Sequence, residues 1–161
     1  RPGLPPEKIL QRLVTEFERR YTPDLGARAQ ALGFTDLQAL TLASLVEREA
    51  RTDADRHLVA GVFHNRLKKR WLLESCASVQ YALGEWKPRL TYQDLKVHSP
   101  YNTYEWAGLP PGPICSPGLP AIHAALYPAA TDAMFFVVAP SSGTHIFSRY
   151  YRDHLKVRAR R

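Results

Sequence analysis

Apolar positions recur at helical spacing in several segments of the N-terminal half, with polar residues between them. The first segment begins at Pro5-Pro6-Glu7, because proline and an acidic residue both suit the first turn of a helix. Its apolar stripe consists of Ile9, Leu10, Leu13, Val14 and Phe17. Arg19 and Arg20 occupy the predicted last turn, and Thr22-Pro23 is interpreted as the end of the helix. A short segment then leads to Gly33, a residue type favoured just after a helix.

The next two predicted helices carry the clearest signals in the chain. Thr35-Asp36-Leu37-Gln38 matches a capping box, which marks a helix start. The run from Leu37 to Val46 is apolar on nearly all sides, so this helix is expected to be central and buried and to end near Ala50. The following helix is predicted over residues 53–68. Its inner face consists of Leu58, Val59, Val62, Phe63 and Leu67.

The pattern changes in the C-terminal half, where proline and glycine interrupt it. Ser75 is predicted to cap a short helix that Gly84 ends, and Thr91 to cap another. Six of the 13 prolines lie in residues 99–120, which predicts a long, shaped loop. The remaining predicted elements are a helix over 119–127, a strand over 134–139, a turn at Ser141-Ser142-Gly143 and a returning strand over 144–148. The predicted fold is α+β, mainly helical, with a small antiparallel hairpin near the C-terminus.

Composition narrows the functional classes. The 161 residues suit a single domain, and no apolar run approaches the ~18 to 20 residues that span a bilayer. The chain starts with Arg1 rather than Met, so it is interpreted as a fragment. Its net charge of +7 suits an anionic partner, but no nucleic-acid-binding motif accompanies the charge, and nucleic acid is not expected. The histidines lack ligand spacing and no cofactor fingerprint is present, so neither a metal nor a cofactor is expected.

Two carboxylates, Glu47 and Glu49, end the most hydrophobic helix. On a helical wheel Glu47 falls between Leu40 and Ala43, and Glu49 between apolar neighbours of its own, so periodicity does not choose between them. A carboxyl group held against apolar neighbours resists ionisation, which is what a general acid needs near neutral pH. The alternative is an ordinary helix end, with Glu47 paired to Arg51 and Glu49 solvated.

Other polar residues stand where apolar ones are expected. Asn65 and Arg66 lie on the inner side of the third long helix, and Gln80 lies in a short apolar helix. Such groups commonly satisfy buried backbone atoms. Aromatic residues with polar handles suit the faces of sugars as well as ordinary packing. They are dense around the proline-rich loop: Tyr81, Trp86, Tyr92, Tyr101, Tyr104 and Trp106.

Several blocks together resemble the YceG-like family of endolytic murein transglycosylases. In chain order they are residues 42–49 (LASLVERE), 62–67 (VFHNRL), 73–84 (LESCASVQYALG), 99–104 (SPYNTY), 108–114 (GLPPGPI), 116–118 (SPG) and 145–148 (HIFS). The YNTY and GLPPGPI blocks are long and very specific. The resemblance covers about Leu42 to Ser148.

The resemblance implies a role for individual residues. Glu47, the first glutamate of the VExE block, becomes the catalytic acid and base, and Glu49 a supporting residue. The residues expected to bind substrate are Asn65, Arg66, Gln80, Tyr101, Asn102, Thr103, Tyr104, Ser116 and His145. Cys76 and Cys115 each lie inside a family block where other members carry different residues, so a disulfide between them is hypothesised.

The resemblance also implies a setting. Residues 1–33 would be a helical linker, 34–155 the catalytic domain and 156–161 a basic tail. The enzyme would cleave the bond between N-acetylmuramic acid (MurNAc) and N-acetylglucosamine (GlcNAc) in peptidoglycan, at the extracytoplasmic face of the bacterial membrane. An upstream transmembrane helix and peptidoglycan synthases as partners are further expectations. A hydrolase acting on the same polymer and a noncatalytic glycan-binding or scaffold module remain as alternatives.

Overall fold

The structure is a computed structural model that describes residues 3–139 and 143–158. Within these ranges the chain forms seven α-helices and one two-stranded antiparallel sheet. The elements are α1 (Pro6–Arg20), α2 (Pro23–Ala31), α3 (Asp36–Glu49), α4 (Asp53–Lys68), α5 (Cys76–Leu83), α6 (Leu119–Leu126), β1 (Phe135–Val138), β2 (His145–Ser148) and α7 (Tyr151–Arg158). A 3-10 helix, Asp94–Lys96, lies between α5 and α6. The predicted α+β class is confirmed.

Helix α3 is the centre of the core, as its apolar pattern predicts. Leu42, Leu45 and Val46 are fully buried, and α3 packs chiefly against α6 and α4. The buried side of α6 includes three alanines, Ala121, Ala124 and Ala125, whose small side chains allow close approach of the helices. Burying these apolar side chains is the main source of stability for the site that α3 carries.

The predicted start of α3 and the predicted end of α5 are confirmed by their caps. Ser75 precedes α5 as predicted, but its side chain makes no cap hydrogen bond and instead donates to Glu49. The Thr35 hydroxyl accepts a hydrogen bond from the Gln38 amide, while the Gln38 side chain accepts one from the Thr35 amide. This reciprocal pair is the predicted capping box. Gly84 ends α5 with φ at 69°, a left-handed conformation that glycine adopts without steric cost.

Two helices were not predicted. Thr22-Pro23 was interpreted as a stop, but Pro23 is the first residue of α2, where its fixed φ and missing N–H suit a helix start. Helix α7 covers part of the predicted basic tail, and residues 159–161 lie outside the described residues. Short, polar helices of this kind have weak periodicity, so neighbouring elements decide whether they form.

The β1–β2 hairpin follows a segment that packs closely against α4. Phe136 pairs with Phe147, and Val138 with His145, across the antiparallel ladder. Residues 141 and 142 of the predicted turn lie outside the described residues. A Cβ on Gly61 of α4 would lie 2.7 Å from the Ala129 carbonyl oxygen, so only glycine allows this approach. The segment before β1 is therefore pressed against α4.

Helix α1 has a different character from the rest. Its apolar stripe forms as predicted, but α1 has no buried residue. The stripe residues Leu10 and Leu13 are 62% and 63% exposed. Among the described residues, no helix is both long and apolar enough to cross a membrane.

Candidate active site

Glu47 lies in the last turn of α3 with one carboxyl oxygen covered and its side chain 30% exposed. Oε2 is buried and has no hydrogen-bond partner among the described residues. The loop before α6 forms the wall beside it, since a Cβ on Gly118 would lie 3.8 Å from Oε2. Glu47 therefore combines access to solvent with a carboxyl oxygen that no protein donor occupies.

Ser44 fixes the position of this wall. The Ser44 hydroxyl accepts a hydrogen bond from the Ile114 amide at 3.0 Å, and the Ser44 carbonyl accepts one from the Cys115 thiol at 3.5 Å. Ser44 lies about one turn before Glu47, so the proline-rich loop is attached to the same helix end. Burial raises the pKa of the Cys115 thiol, and the nearby negative charge of Glu47 adds to the effect.

Arg56 of α4 is the cation beside Glu47. Its Nη2 lies 3.7 Å from Glu47 Oε1, and its Nη1 forms an ion pair with Asp53. The Arg56 Nε is buried and has no partner among the described residues. Within the described residues, Glu47 forms no ion pair with Arg51, which was the alternative, and the Arg51 side chain is exposed.

Glu49 faces a different environment. Its Oε1 accepts hydrogen bonds from the Ser75 hydroxyl at 2.5 Å and from the Ala77 amide at 3.2 Å. Ala77 belongs to the first turn of α5, where free amides favour a negative charge. Glu49 is thus tied to the start of α5, whereas Glu47 has no such donors.

Two concave surfaces flank the end of α3. The first, here called the Glu49 cavity, has a volume of about 450 Å³ and is bordered by Glu49, Glu74, Cys76, Tyr104 and His145. The second, here called the Trp86 groove, has a volume of about 420 Å³. Its lining includes Arg48, Gln80, Tyr81, Glu85, Trp86 and Cys115. The groove lies at the same end of α3 as Glu47, because it is lined by Arg48, the next residue along the helix, and by Cys115, three residues before the Gly118 wall.

Asn65 and Arg66 bind backbone carbonyls in this structure. The Asn65 amide donates to the Thr131 and Ala133 carbonyls at 2.9 and 3.0 Å. Arg66 donates to the carbonyls of Met134, Leu72 and Leu73 and to the Glu74 carboxylate. Arg66 also reaches the border of the Glu49 cavity. Both side chains join α4 to the segment before β1.

The residues predicted in the YNTY block also make internal contacts. Asn102 is fully buried, and its amide donates to the Leu95 and Val97 carbonyls. Thr103 is buried, and its hydroxyl accepts a hydrogen bond from the Ser75 amide. The Gln80 amide and carbonyl form two hydrogen bonds with the Lys87 backbone. These side chains shape the loop that surrounds the Glu49 cavity and the groove.

The remaining predicted residues differ in their access to ligand. Tyr104 and His145 both line the Glu49 cavity, where burial raises the pKa of Tyr104. The His145 Nδ1 lies 3.0 Å from the Asp55 carboxylate. Tyr101 is half-buried against Tyr81, with ring centroids 4.7 Å apart. Ser116 is exposed on the loop.

The hypothesised disulfide between Cys76 and Cys115 is absent from the structure. The Cys76 sulfur lies 3.2 Å from the Tyr104 hydroxyl in the Glu49 cavity, while Cys115 donates to Ser44 beside the groove. The two residues therefore border different hollows at the end of α3, and their pairing stays a prediction.

Sequence reasoning missed Arg56 and Ser44 as parts of this site. Ser44 carried a usable signal, since it is a hydroxyl within an otherwise apolar stretch of a buried helix. Arg56 follows Asp53 by three residues, a spacing that is typical of an ion pair on the surface of a helix. Only the packing of α4 against α3 brings Arg56 to Glu47.

The chain has a helical fold with a partly exposed glutamate at the end of a buried helix. Comparisons with known proteins identify the class of protein that shares these features. The YceG-like family matches residues 1–160. The chain is 47% identical over 119 residues to the endolytic murein transglycosylase of Bacillus subtilis, which covers 74% of this chain and 33% of the relative. It is 31% identical over 153 residues to the protein of the same name from Streptococcus pneumoniae serotype 2, covering 92% and 28%.

A solved structure agrees with these relatives. The crystal structure of a YceG-like protein from Listeria monocytogenes superposes with a TM-score of 0.90 at 36% identity, over 97% of this chain and 50% of that one. The chain therefore belongs to the YceG-like family. It spans about a third of the length of the curated relatives and half of the solved one.

Proposed function

We propose that this chain is the catalytic domain of a lytic transglycosylase that cleaves peptidoglycan glycan strands, with Glu47 as the only acid and base. The curated relatives are named endolytic murein transglycosylases, which supports this class of reaction. The observation that carries the proposal is the contrast between the two glutamates. Glu49 accepts hydrogen bonds from α5, whereas Glu47 Oε2 has no donor among the described residues.

The first step is proton donation by Glu47. Its protonated carboxyl group gives a proton to the glycosidic oxygen between C1 of MurNAc and O4 of GlcNAc, and the C1–O bond breaks. Positive charge then develops at C1 and the ring oxygen of MurNAc. The resulting Glu47 carboxylate lies near the Arg56 guanidinium, which stabilises its negative charge.

The second step closes a ring within the same sugar. The Glu47 carboxylate takes the proton of the MurNAc C6 hydroxyl, and O6 forms a bond to C1. Glu47 regains its proton, and the product is a 1,6-anhydro-MurNAc end. No water enters, and the nucleophile is already part of the substrate, so a single carboxyl group suffices. A glycosidase that uses water requires a second carboxylate.

The products distinguish this reaction from hydrolysis. Purified glycan strands incubated with the chain are expected to yield MurNAc ends that lack one water relative to reducing ends. Mass spectrometry of the fragments measures this directly. Reducing ends alone would identify a hydrolase, and binding without cleavage would identify a noncatalytic glycan-binding module.

Arg56 is expected to stabilise the Glu47 carboxylate that forms once the proton has been donated. Its Nη2 lies 3.7 Å from Glu47 Oε1, and an opposite charge at this distance favours the charged carboxylate. In Arg56→Gln we therefore expect the rate of strand cleavage to fall by about tenfold, which corresponds to about 1.4 kcal/mol of transition-state stabilisation. The rate of fragment release from purified strands measures this loss.

The matched control for this measurement is Arg51→Gln, which removes an exposed cation from the α3–α4 connection. Arg56→Lys keeps the charge and should retain most of the cleavage rate. If Arg56→Gln cleaves strands as fast as Arg51→Gln, or if Arg56→Lys loses as much of the rate as Arg56→Gln, the proposed charge stabilisation of Glu47 is wrong.

The wider setting is part of the proposal. The division into a linker (1–33), a catalytic domain (34–155) and a basic tail (156–161) stays a prediction, and Leu25 and Ala29 of the predicted linker belong to the same hydrophobic core as α3. We infer that the enzyme acts at the extracytoplasmic face of the bacterial membrane, because its proposed substrate lies there. An upstream anchor and cooperation with peptidoglycan synthases belong to the same proposal.

A further inference from the structure

The Trp86 groove presents an unusual aromatic surface next to Glu47. Trp86 is 70% exposed, and Tyr81 in the same groove is 46% exposed. The Cys115 side of the groove belongs to the loop whose Gly118 forms the wall beside the Glu47 carboxyl group. A ligand in the groove therefore lies beside the proposed point of cleavage.

The groove is held in a defined shape. Gln80 makes two hydrogen bonds to the backbone of Lys87, the residue directly after Trp86, and Gly84 ends α5 with a left-handed turn. Tyr81 packs against Tyr101 of the proline-rich loop. An exposed aromatic ring on a fixed turn loses little conformational entropy when a ligand stacks on it.

The groove offers one cation for an anionic ligand. Glu85 shares the Lys87 ammonium with Asp94, at 3.2 Å and 2.7 Å, so Lys87 is already occupied by protein carboxylates. Arg48 is exposed and forms no ion pair within the described part of the chain. A ligand that offers both an apolar sugar face and a carboxylate matches this combination of ring and cation.

We propose that the Trp86 groove is a binding subsite for a MurNAc residue of the glycan strand, with Trp86 stacking on the sugar ring and Arg48 pairing with the carboxylate of its lactyl group or stem peptide. This subsite rests on the proposed function, because its occupant is the strand that reaches Glu47. In this proposal the strand on one side of the cleaved bond lies in the Trp86 groove, and the strand on the other side lies in the Glu49 cavity. An enzyme that cleaves within a chain has to bind the chain on both sides of the cleaved bond.

Binding in the absence of cleavage tests the subsite. Glycan strands freed of stem peptides, which retain the lactyl carboxylate, are titrated into Glu47→Gln chain and followed by calorimetry. Adding Trp86→Ala is expected to weaken binding about tenfold or more, since an anchoring tryptophan is commonly worth this much. The matched control is Trp106→Ala, which removes another exposed tryptophan, 52% exposed, that lines a different surface.

A neutral ligand separates the two contributions. Oligomers of GlcNAc carry the same ring faces without the carboxylate. Trp86→Ala is expected to weaken binding of both ligands, whereas Arg48→Gln is expected to weaken only the MurNAc-containing strands, by about fivefold to tenfold. Equal loss of both ligands in Arg48→Gln would overturn the pairing with a carboxylate.

The possible results distinguish a failure of the proposed subsite from a failure of the proposed reaction. If Trp86→Ala and Trp106→Ala bind strands as tightly as the parent, or if the parent does not bind them, the subsite is overturned. If Trp86→Ala alone weakens binding but wild-type chain releases no anhydro ends, the subsite stands and the proposed reaction falls. Unchanged circular dichroism and thermal midpoint in Trp86→Ala exclude loss of fold as the cause.

Discussion

Glu47→Gln is expected to reduce cleavage of purified glycan strands by about 10³-fold or more while leaving strand binding within about twofold. General acid–base groups contribute about 10²- to 10⁴-fold each, and here one group performs both proton transfers. Glutamine preserves the size of the side chain, so α3 and its wall at Gly118 should remain in place. The measurement is the rate of fragment release, with the fragment masses recorded in the same experiment.

Glu49→Gln is the informative companion to this variant. Its Oε1 accepts hydrogen bonds from Ser75 and Ala77, and an amide oxygen can still accept them, so a smaller loss is expected, about tenfold or less. If Glu49→Gln abolishes cleavage and Glu47→Gln does not, the two glutamates have been assigned the wrong roles. If both are equally inactive, a two-carboxylate mechanism becomes the better explanation.

Arg66→Ala is expected to destabilise the fold by about 3 to 5 kcal/mol, the range for removing one partner of a buried charged network. The Arg66 side chain is 8% exposed and donates to three backbone carbonyls and the Glu74 carboxylate. Truncation leaves these acceptors without their donor. Urea unfolding followed by circular dichroism measures the loss of free energy of unfolding.

The control for Arg66 comes from the same helix. Lys68→Ala removes an exposed cation two residues later and should change the free energy of unfolding by no more than about 0.5 kcal/mol. If Arg66→Ala is as stable as Lys68→Ala but binds strands poorly, Arg66 acts as the substrate contact that the family resemblance implies. A loss of stability would instead assign Arg66 a structural role.

Local signals predicted much of the fold because they act over a few residues. The capping box at Thr35, the apolar run of α3 and the left-handed Gly84 each depend on neighbours within about one turn, and each is confirmed. Helices α2 and α7 were missed for the converse reason. Their sequences are short and polar, and Pro23 carries a stop signal and a start signal at once.

The candidate site was less predictable because its distinguishing contacts are long-range. Glu47 and Glu49 look equivalent on a helical wheel, and their difference comes from α5 on one side and the 115–118 loop on the other. Polar residues such as Asn65 and Asn102 can be recognised in the sequence as candidates for a site, but the sequence does not show which groups they bind. In the structure they bind backbone carbonyls, which no spacing rule distinguishes from binding a sugar.

The hydrogen bond from the Ile114 amide to Ser44 also determines when the site can exist. It joins residues 70 positions apart, so the enclosure around Glu47 forms only after the loop with Ile114 has been translated. A nascent chain that has formed α3 and α4 already carries Glu47, but the wall at Gly118 has not yet been translated. Closing so long a loop is entropically slow, and it needs α6 to pack on α3. The glutamate is therefore present before it is shielded, and the environment of its carboxyl group changes when the 114–118 loop folds onto α3.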